Sequence, residues 1–503
     1  MKQFVIIKLC ISIIFISFIL LNCTQFVTED DDDNNSNNSG NRTNNETSFN
    51  RQWTIMVWMD ADNDLERTGA YDINEMEYGL YLAQQKDPYI QQKISIIVQF
   101  DRIDGYDTLS HDDGQDWTDT RRYLVKPDEN SFPSGDFTSE KLNELGEVNM
   151  GDASELKSFI AYCKSNYKAT YYMLVFWNHG AGVRSSYHFN ENKRGFCVDD
   201  TNNQDLLYTG EITDFLTKNE SVDIICFDTC SMGMTEVAYE YRPGPDKFGA
   251  DYMIASPAEI PFAGQNYVRL LSRLQGSSYT DNEGDICFNT QTLLPDQLVS
   301  AVVKEYRDEY SAETGEMTTA LDLAHIVQVK EKLDLLAVEL VNEKADTENI
   351  RGSSTNTITM EYFSEYSTAN WLYVPNFDMY DFARRINASS NFGQAARDAA
   401  AALLVSIDDC VNTSWAGQSF SGFLPGKNGL GFFFPDGDRE YAYNKKFYQS
   451  QWWYTSEDTY AFNSGYYGKL DFCNSDNDGI VEGWRELLEY WYDNDTNFTP
   501  SSF

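Results

Sequence analysis

The stretch "DIICFDTCSMG", residues 223–233, places a cysteine at the end of an apolar run, two positions after an aspartate. A continuously apolar run of this length is typical of a strand that is covered on both faces of a sheet. The segment "MTEVAYEY" that follows has the composition of a helix. Two interpretations are open. Either Cys230 fills space in the core and Asp228 caps the next helix, or Cys230 is a nucleophile beside an aspartate that recognises a ligand.

Three further runs are continuously apolar, and a candidate fifth strand, "YMIASP", spans residues 252–257. Helical segments begin at Asp64 and Asp152 between these runs, so strands alternate with helices along the chain. This alternation is typical of a mostly parallel sheet with helices on both faces. The three runs are "WTIMVWMD" (53–60), "KISIIVQF" (93–100) and "YYMLVFWNH" (171–179).

The remaining segments of the chain are less regular. Two polar stretches, 101–149 and 181–210, are too long to be simple connections, so they are predicted to carry hairpins or a function of their own. After residue 275 the alternation loosens into further helices and one late apolar strand. These are the helices 295–311, 321–345 and 377–388 and the strand "GLGFFFP" (429–435).

The composition is that of a folded, strongly acidic protein. Hydrophobic residues make up 42% of the 503 residues, which is ample for a packed core. The 38 basic and 79 acidic residues give a formal net charge of −41. Such a surface repels nucleic acid and favours basic partners or substrates, with plain solubility as the alternative.

The N-terminal sequence "MKQFVIIKLCISIIFISFILLNC" (1–23) has two lysines and a long apolar run, the layout of a secretion signal. Its end, "LLNC", resembles a bacterial lipobox, in which Cys23 becomes the lipidated first residue. Asn22 departs from the small residue usual there, so ordinary signal cleavage is the alternative. Residues 24–50 are acidic and Asn-rich, and we expect a disordered tether. The protein is therefore predicted to be an exported lipoprotein of the bacterial cell envelope, with secretion as the alternative.

The cysteines do not form a metal-binding pattern. Of the nine in the chain, Cys10 leaves with the signal and Cys23 is the lipidation candidate, so seven stay in the folded body. Seven is an odd number, so at least one thiol is unpaired within the chain. No CxxC pair occurs, which argues against a zinc ribbon. We interpret Cys226 as a core residue.

A candidate catalytic pair stands at the ends of two predicted strands. His179 closes the third strand, in "WNHGAG", and Cys230 closes the fourth. In open α/β sheets ligands bind beyond the carboxyl ends of the strands, so neighbouring strands would bring a base and a nucleophile to one edge. The backbone N–H groups of Gly180 and Cys230 could then form an oxyanion hole. The alternatives are a hydrogen-bonded structural histidine and a small buried cysteine.

At this point the residues resemble a known family. "NHGAG" followed by "DTCSMG" is similar to the clostripain family of cysteine peptidases, relatives of caspases, legumains and gingipains. The similarity extends to other segments and covers most of residues 51–435. It implies a caspase-like three-layer sandwich, with a mostly parallel central sheet flanked by helices and a C-terminal extension. The segments are "MVWMDADNDLE" (56–66), "ASPAEIPFAGQNY" (255–267), "FDMYDFARRI" (377–386) and "GLGFFFP".

The resemblance also implies roles and domains. His179 would be the general base and Cys230 the nucleophile. Asp228 would line a pocket for an arginine or lysine side chain. Period-two alternation would place it on the same strand face as Cys230, and a recessed carboxylate pairs strongly with guanidinium. Glu259 would assist from the facing loop. The predicted domains are 1–23 (signal), 24–50 (tether), 51–275 (catalytic) and 276–503 (a helical and mixed region that returns strand 429–435 to the body).

The loop between the catalytic candidates is a predicted activation site. Residues 183–204 are long and polar, and they carry Lys193 and Arg194 side by side. Related peptidases mature by cutting themselves in the corresponding loop, so the resemblance implies self-cleavage after Lys193 or Arg194. The alternative is that both residues are ordinary solvated charges.

Two acidic segments invite a metal interpretation. Residues 474–485 begin like a calcium loop but place Arg485 where a bidentate glutamate is required, so an Asx-rich turn before a helix is favoured. "DADND" (60–64) is interpreted as a helix start, with Asn63 and Glu66 spaced as a capping box. Some relatives depend on calcium. The resemblance therefore leaves calcium open without assigning ligands, and the chemistry itself is expected to need no cofactor.

The leading expectation is a surface-tethered cysteine endopeptidase that cleaves after arginine or lysine and is activated by self-cleavage. Its partners would be protein or peptide substrates with basic residues and a membrane reached through the lipid anchor, with no nucleic acid. We expect a monomer, in two chains after self-cleavage. One alternative is a catalytically inactive caspase-like surface lipoprotein that binds peptide or host ligands. Another is a relative with transpeptidase behaviour.

Overall fold

The computed structural model describes residues 50–185, 194–345, 376–434, 467–473 and 481–493, apart from positions 113, 115, 132–134, 282, 283, 285, 314, 421, 468 and 469. The described residues belong to one compact unit. The predicted signal, Cys23, nearly all of the predicted tether and Lys193 lie outside them. No helix in these ranges is long and apolar enough to span a bilayer.

The strands are short or of moderate length, and they are distributed along the described sequence from Trp53 to Phe433. Strands 53–60, 93–100, 171–179, 223–230 and 252–257 were expected from sequence, and all five are confirmed within a few residues. The strands are β1 (Trp53–Ala61), β2 (Ile94–Arg102), β3 (Thr120–Leu124), β4 (Glu140–Gly146), β5 (Tyr171–Trp177), β6 (Gly180–Ser185), β7 (Arg194–Asp199), β8 (Asp205–Leu207), β9 (Val222–Asp228), β10 (Ala250–Ala255), β11 (Leu274–Gln275), β12 (Tyr279–Thr280), β13 (Ile286–Asn289), β14 (Met317–Asp322), β15 (Asn376–Asp378), β16 (Val411–Ala416) and β17 (Gly431–Phe433).

The helices alternate with the strands in the first half of the chain. They are α1 (Glu66–Lys86), α2 (Ile90–Lys93), α3 (Ala153–Asn166), α4 (Thr209–Phe215), α5 (Thr235–Glu240), α6 (Tyr267–Ser272), α7 (Pro295–Tyr310), α8 (Ile326–Asn342), α9 (Met379–Ala388), α10 (Gln394–Cys410) and α11 (Trp484–Asp493). Short 3-10 turns span Thr290–Thr292 and Asp471–Cys473.

Within the described residues, nine strands form the central sheet in the order β16-β14-β10-β9-β5-β1-β2-β3-β4. The inner pairs β10–β9, β9–β5, β5–β1 and β1–β2 are parallel. The outer strands join antiparallel on both sides. The two long polar stretches also form strands. Residues 101–149 contribute β3 and β4 to the central sheet, and residues 181–210 contribute most of the separate sheet β6-β7-β8.

Two hydrophobic layers cover the sheet. Alternate residues of β1 divide between them, since Trp58 belongs to one cluster and Val57 to the other. Helices α3, α5, α8 and α10 pack on the first side, and α1, α6 and α7 pack on the second. Burial on both faces explains why the inner strands are continuously apolar.

The C-terminal half completes the same body. Strands from both sides of residue 275 share the central sheet, because β14 pairs with β10. The predicted helix 321–345 starts later than expected. Residues 317–322 form β14, whose buried run from Met317 extends the sheet, and α8 begins at Ile326. The late strand β17 pairs with β15 and bridges to Met234, the residue directly before α5.

Candidate active site

The strands that precede the two predicted catalytic residues are direct neighbours. Strands β5 and β9 are parallel, with Trp177 opposite Asp228. The Asn178 N–H donates to the Asp228 carbonyl oxygen at 3.4 Å, so the pairing continues to the strand ends. His179 and Cys230 each follow two residues beyond these ends. The expected meeting of the two segments at one edge of the sheet is therefore confirmed.

Cys230 lies in a tight turn just after β9. Ser231 has a φ of 61°, in the left-handed region that side chains other than glycine seldom adopt. The turn is held by the Ser231 N–H, which donates to Ala258 O at 2.9 Å, and by the Gly233 N–H, which donates to Ser256 O at 2.8 Å. The backbone of this turn is therefore strained but held by two hydrogen bonds, and it presents the half-buried thiol at the sheet edge.

Two glycines bring the histidine segment against this turn. A Cβ at Gly180 would collide with the Cys230 carbonyl oxygen and lie 2.8 Å from Thr229 Oγ1. A Cβ at Gly182 would lie 2.7 Å from Ser231 O, and Gly182 has a φ of +64°. The segment that begins at His179 can pack this closely on the cysteine turn only because these positions have no side chain.

The thiol is protonated in this arrangement. Burial raises the pKa of Cys230 to about 11, and the charges of Glu259 and Asp228 also raise it. The Ile260 N–H, which donates to Sγ at 3.4 Å, acts in the opposite direction. Nucleophilic attack requires the thiolate, so a base must remove this proton.

His179 is held by a carboxylate that the sequence analysis did not assign to the site. Its Nε2 lies 2.8 Å from Asp64 Oδ1, with the side chains 36% and 52% exposed. In the tautomer that donates this hydrogen bond the proton is on Nε2, and Nδ1 is left as the acceptor nitrogen. Within the described residues, no hydrogen bond joins His179 to Cys230. The imidazole is thus oriented but not engaged with the thiol.

The predicted capping box at Asn63 and Glu66 is wrong. Leu65 precedes α1 without a side-chain cap. The Glu66 carboxylate instead accepts from Arg102 Nε at 2.7 Å, because that fully buried guanidinium requires a counter-charge. The Asn63 amide donates to Asn178 Oδ1 at 3.2 Å, so Asn63 ties the end of β1 to the residue before His179.

Asp228 is 4% exposed and does not cap the next helix, because α5 begins only at Thr235. Its carboxylate accepts the Gln265 N–H at 3.1 and 3.2 Å and the Tyr267 hydroxyl at 2.8 Å. Burial raises its pKa to about 6, although these hydrogen bonds oppose the shift. Period-two alternation was expected to place Asp228 and Cys230 on the same strand face. It does not apply to Cys230, because the strand ends at Asp228.

Two further carboxylates surround Asp228 and were missed from sequence. Asp72 is fully buried; its Oδ2 accepts from Trp177 Nε1 at 2.7 Å, while Oδ1 has no partner. Glu75 accepts the Tyr267 N–H at 2.9 Å, and burial raises its pKa to about 7. None of the three carboxylates forms an ion pair within the described residues. We call Asp72, Glu75 and Asp228 the acidic recess.

The other predicted site residues lie in different positions. Glu259 is exposed, and its charge acts on the Cys230 thiol. Arg194 begins β7 opposite Ser185, whereas Lys193 is outside the described residues, so self-cleavage stays a prediction. Seven thiols are free in the described ranges, and Cys226 is buried as expected.

A second group of carboxylates lies at the same edge of the sheet. Its ligand oxygens all lie within 4.8 Å of one another, a spacing that could hold a metal ion. We call it the rim cluster. Its members are Asp62, Asp101, Glu147 and Asp199.

Comparison with known proteins agrees with this geometry. A model of the clostripain family matches residues 57–491. Clostripain from Hathewaya histolytica is 37% identical over 484 residues, which cover 90% of this chain and 89% of that protein. This relationship extends over nearly the whole length of both proteins.

Two solved structures share the fold at low sequence identity. One is an inactive zymogen of a C11 protease from Parabacteroides distasonis, with a TM-score of 0.51 and 15% identity, covering 77% of this chain and 93% of that chain. The other is iotapain, a secreted C11 cysteine protease from Bacteroides thetaiotaomicron, with a TM-score of 0.51 and 13% identity, covering 76% and 93%. The caspase-like three-layer fold expected from sequence is confirmed.

Proposed function

Because the chain belongs to the clostripain family of cysteine peptidases, we propose that it hydrolyses peptide bonds after arginine or lysine through Cys230 and His179. The observation that carries this proposal is the acidic recess at the end of the strand that leads to the thiol. A recess with buried carboxylates and no cation among its described partners favours a substrate that supplies the cation.

The chemical step uses groups at the sheet edge. Nδ1 of His179 takes the proton from the Cys230 thiol, and the thiolate attacks the scissile carbonyl carbon. The N–H groups of Gly180 and Cys230 are the proposed donors to the oxyanion. The imidazolium then protonates the leaving amine as the C–N bond breaks. Water, deprotonated by His179, hydrolyses the thioester and restores the thiol.

Asp64 is proposed as a positioning residue for this step. It holds the His179 tautomer in which Nδ1 can accept a proton and stabilises the imidazolium that forms. Burial raises the pKa of the Cys230 thiol to about 11, so the proposed step requires a correctly oriented base. Movement of the imidazole towards Cys230 is needed before attack, since no hydrogen bond joins them within the described residues.

Specificity follows from the recess. Guanidinium is planar and can donate to one carboxylate at two points, so arginine should be preferred to lysine at the residue before the cut. Asp228 would bind it directly. Burial raises the pKa values of Asp72 and Glu75, so a bound guanidinium would favour their ionised forms at that position. Glu259 would attract the same cation from the exposed side near Cys230.

Fluorogenic peptides ending in Arg, Lys or Asp before the reporter test the proposal. Wild-type protein should release reporter fastest from Arg, then Lys, and not from Asp. Cys230→Ala and His179→Ala should each lose at least about 1,000-fold in rate, as single losses from catalytic triads do. Folding is checked by circular dichroism. Preference for Asp, or full activity in either variant, would contradict the proposal. Peptide binding without any hydrolysis would favour the non-catalytic alternative.

We also propose activation by self-cleavage after Lys193 or Arg194, on a protein tethered through Cys23. Strands β6 and β7 pair at Ser185 with Arg194 and at Gly180 with Phe196, so a cut after Lys193 would leave both chains held by the sheet. A cut after Arg194 would fall within β7 and leave the Gly180–Phe196 pair to hold them. Denaturing gels should show two bands for wild type and one for Cys230→Ala, with the new N-terminus at Arg194 or Gly195. Fully active wild type in one uncut band would refute self-cleavage. Cys23→Ser should move the protein from the membrane fraction to the soluble fraction.

A further inference from the structure

A third group of apolar side chains lies outside the two hydrophobic layers that cover the sheet. Ala258 and Met317 are buried, and three partly buried side chains pack against them. Two of these, Phe420 and Phe423, come from the loop that follows β16. A group with two buried members is too small to be a core of its own, and its aromatic rings stay partly exposed. We call it the apolar patch, and its members are Ala258, Met317, Ala416, Phe420 and Phe423.

Strand pairing places the patch at the same edge of the sheet as the thiol. Strand β10 is parallel to β9, and β14 runs antiparallel to β10, with Thr319 opposite Ala255. The start of β14 therefore lies beside the carboxyl end of β10. Met317 pairs with Ala416 across β14 and β16, so both residues lie at this edge. Neighbouring strands are about 4.8 Å apart, which puts the start of β14 about 10 Å from the end of β9.

The loop after β10 connects the nucleophile to the patch. The Ala258 carbonyl oxygen accepts the N–H of Ser231, the residue directly after the nucleophile, at 2.9 Å. The Ile260 N–H donates to Cys230 Sγ at 3.4 Å. Two residues further along, Phe262 is 70% exposed, more than any other large apolar side chain in the described ranges. One loop therefore carries backbone contacts to the nucleophile, a member of the patch and an uncovered aromatic ring.

The loop after β16, which supplies the aromatic rings of the patch, is fixed by backbone hydrogen bonds. The Gly417 N–H donates to Glu316 O at 2.8 Å, and the Phe420 N–H donates to Gly417 O at 3.2 Å. The Phe423 N–H donates to Phe420 O at 3.1 Å, and Leu424, the next residue, is 39% exposed. These contacts order the loop before a ligand arrives, so a ligand that packs on it loses little affinity to ordering.

The order of the strands determines which part of a substrate passes over the patch. His179 follows β5 on one side of β9, and the patch lies on the other side, beyond β10. In the proposed mechanism the imidazolium protonates the leaving amine, so the residues after the cut lie on the His179 side of the thiol. The residues before the cut therefore leave the thiol towards β10 and β14. Two extended residues span about 7 Å, which brings their side chains within reach of the patch.

We propose that the apolar patch, together with Phe262, binds an apolar side chain at one of the two substrate positions that precede the basic residue. This inference rests on the proposed function, because it takes the direction of the substrate chain from the roles of His179 and Cys230. The basic side chain would enter the acidic recess, and an apolar side chain close to it would pack on aromatic rings. The preferred substrate is therefore a segment in which an apolar residue closely precedes arginine or lysine.

Binding is measured on the full-length Cys230→Ala variant, which lacks the nucleophile. The probes are fluorescently labelled amides of Leu-Ala-Arg and Ala-Leu-Arg, each paired with a peptide that has asparagine in place of leucine. Asparagine has a similar size but is polar, so the comparison isolates apolar burial. By fluorescence anisotropy, one of the leucine peptides should bind at least about 10-fold more tightly than its asparagine partner, as expected for burying a leucine side chain.

Phe262→Ala and Phe423→Ala in the same background should each reduce this preference to below about 3-fold, because each removes an aromatic ring that the leucine side chain would contact. Binding of the asparagine peptides should stay within about 2-fold of the parent. Phe423→Leu keeps an apolar side chain and should retain most of the preference. Phe215→Ala is the matched control, since Phe215 is 47% exposed on α4 and belongs to neither loop. With Cys230 restored, the same ratios are expected in kcat/KM for reporter peptides.

Equal binding of the leucine and asparagine peptides at both positions would overturn the proposal, and so would a preference that both phenylalanine variants leave unchanged. If Phe423→Ala does not fold, Phe262→Ala still provides the test, because that ring is exposed. Variants that alter only self-association or recovery with membranes would assign the patch to a second copy of the chain or to a lipid surface, against the proposal. A leucine preference that persists when aspartate replaces arginine would retain the patch and contradict the proposed arginine specificity, so the two proposals fail separately.

Discussion

The acidic recess and the rim cluster are two groups of carboxylates at one end of the same sheet, yet their surroundings differ. In the recess, Asp228 faces a tyrosine hydroxyl and a backbone N–H, and Asp72 faces a tryptophan N–H. These donors come from Tyr267, Gln265 and Trp177, which pack around the two carboxylates. In the rim cluster, Asp62 and Asp101 each have one buried oxygen without a hydrogen-bond partner, and one carboxylate oxygen of each lies within 4.8 Å of those of the other members.

The difference shows how surroundings select the cation that a carboxylate binds. A compact set of oxygens around one point suits a small divalent ion. A single buried carboxylate whose acidic neighbours lie on α1, and not around a common centre, suits a planar organic cation such as guanidinium. Similar residue types can therefore serve specificity at one place and stability at another.

The largest expected effect that tests this distinction is the loss of charge in the recess. Asp228→Asn keeps size and hydrogen bonding but removes the negative charge, so kcat/KM for an Arg peptide should fall about 100-fold. This factor equals about 2.7 kcal/mol, within the range for losing one partner of a buried charge pair. Labelling of Cys230 by iodoacetamide should change far less.

Asp199→Asn is the matched variant in the rim cluster, and it should leave the ratio of Arg to Lys cleavage unaltered. If Asp228→Asn instead reduces labelling and cleavage equally, Asp228 supports the strand end and the recess has no role in specificity. A changed ratio of Arg to Lys cleavage in Asp199→Asn would contradict the assignment of specificity to the acidic recess and not to the rim cluster.

A smaller effect is expected at Asp64, which belongs to neither group. Asp64→Ala removes the acceptor for His179 Nε2, so kcat should fall about 10- to 100-fold with little change in KM. Asp64→Asn keeps an acceptor oxygen and should recover part of that loss. A change confined to KM would assign Asp64 to substrate binding and enlarge the recess to the exposed side of the site.

The smallest effect concerns buried carboxylates that no proposed ligand reaches. Burial raises the pKa of Glu236, Glu240 and Asp378 to about 7. These groups hold protons in the folded state at pH values where the unfolded chain has lost them, so their contribution to stability is lost as pH rises from about 4 to about 7. The unfolding temperature of Cys230→Ala in EDTA should therefore fall by a few degrees between pH 5 and pH 8.

Glu236→Gln should reduce that pH slope and raise stability at pH 8, because the neutral amide can still accept from Phe433 N–H and the Tyr467 hydroxyl. Stability that increases from pH 5 to pH 8 would show that these carboxyl groups are charged without penalty. Burial without a cation would then carry no free-energy cost for these carboxylates, and the contrast with carboxylates that bind a cation would not hold.

Much of the fold was predictable because its signals are local. Strands β1, β2, β5 and β9 are continuously apolar, since both faces of each are buried. Strand β14 was missed because its short run leads directly into a strongly periodic helix, and only pairing with β10 determines where one ends and the other begins. The candidate pair His179 and Cys230 was predictable for a similar reason, because each stands at the end of such a run.

The sequence by itself therefore determined the inner strands, the helices between them and the residues that end the two catalytic strands. Only the tertiary structure decided which carboxylates meet. Asp64 reaches His179 across 115 positions, and the rim cluster draws on four segments between residues 62 and 199. The physical reason is that strand order and register depend on the packing of both faces of the whole sheet, whereas hydrophobic pattern and turn residues act within a few positions.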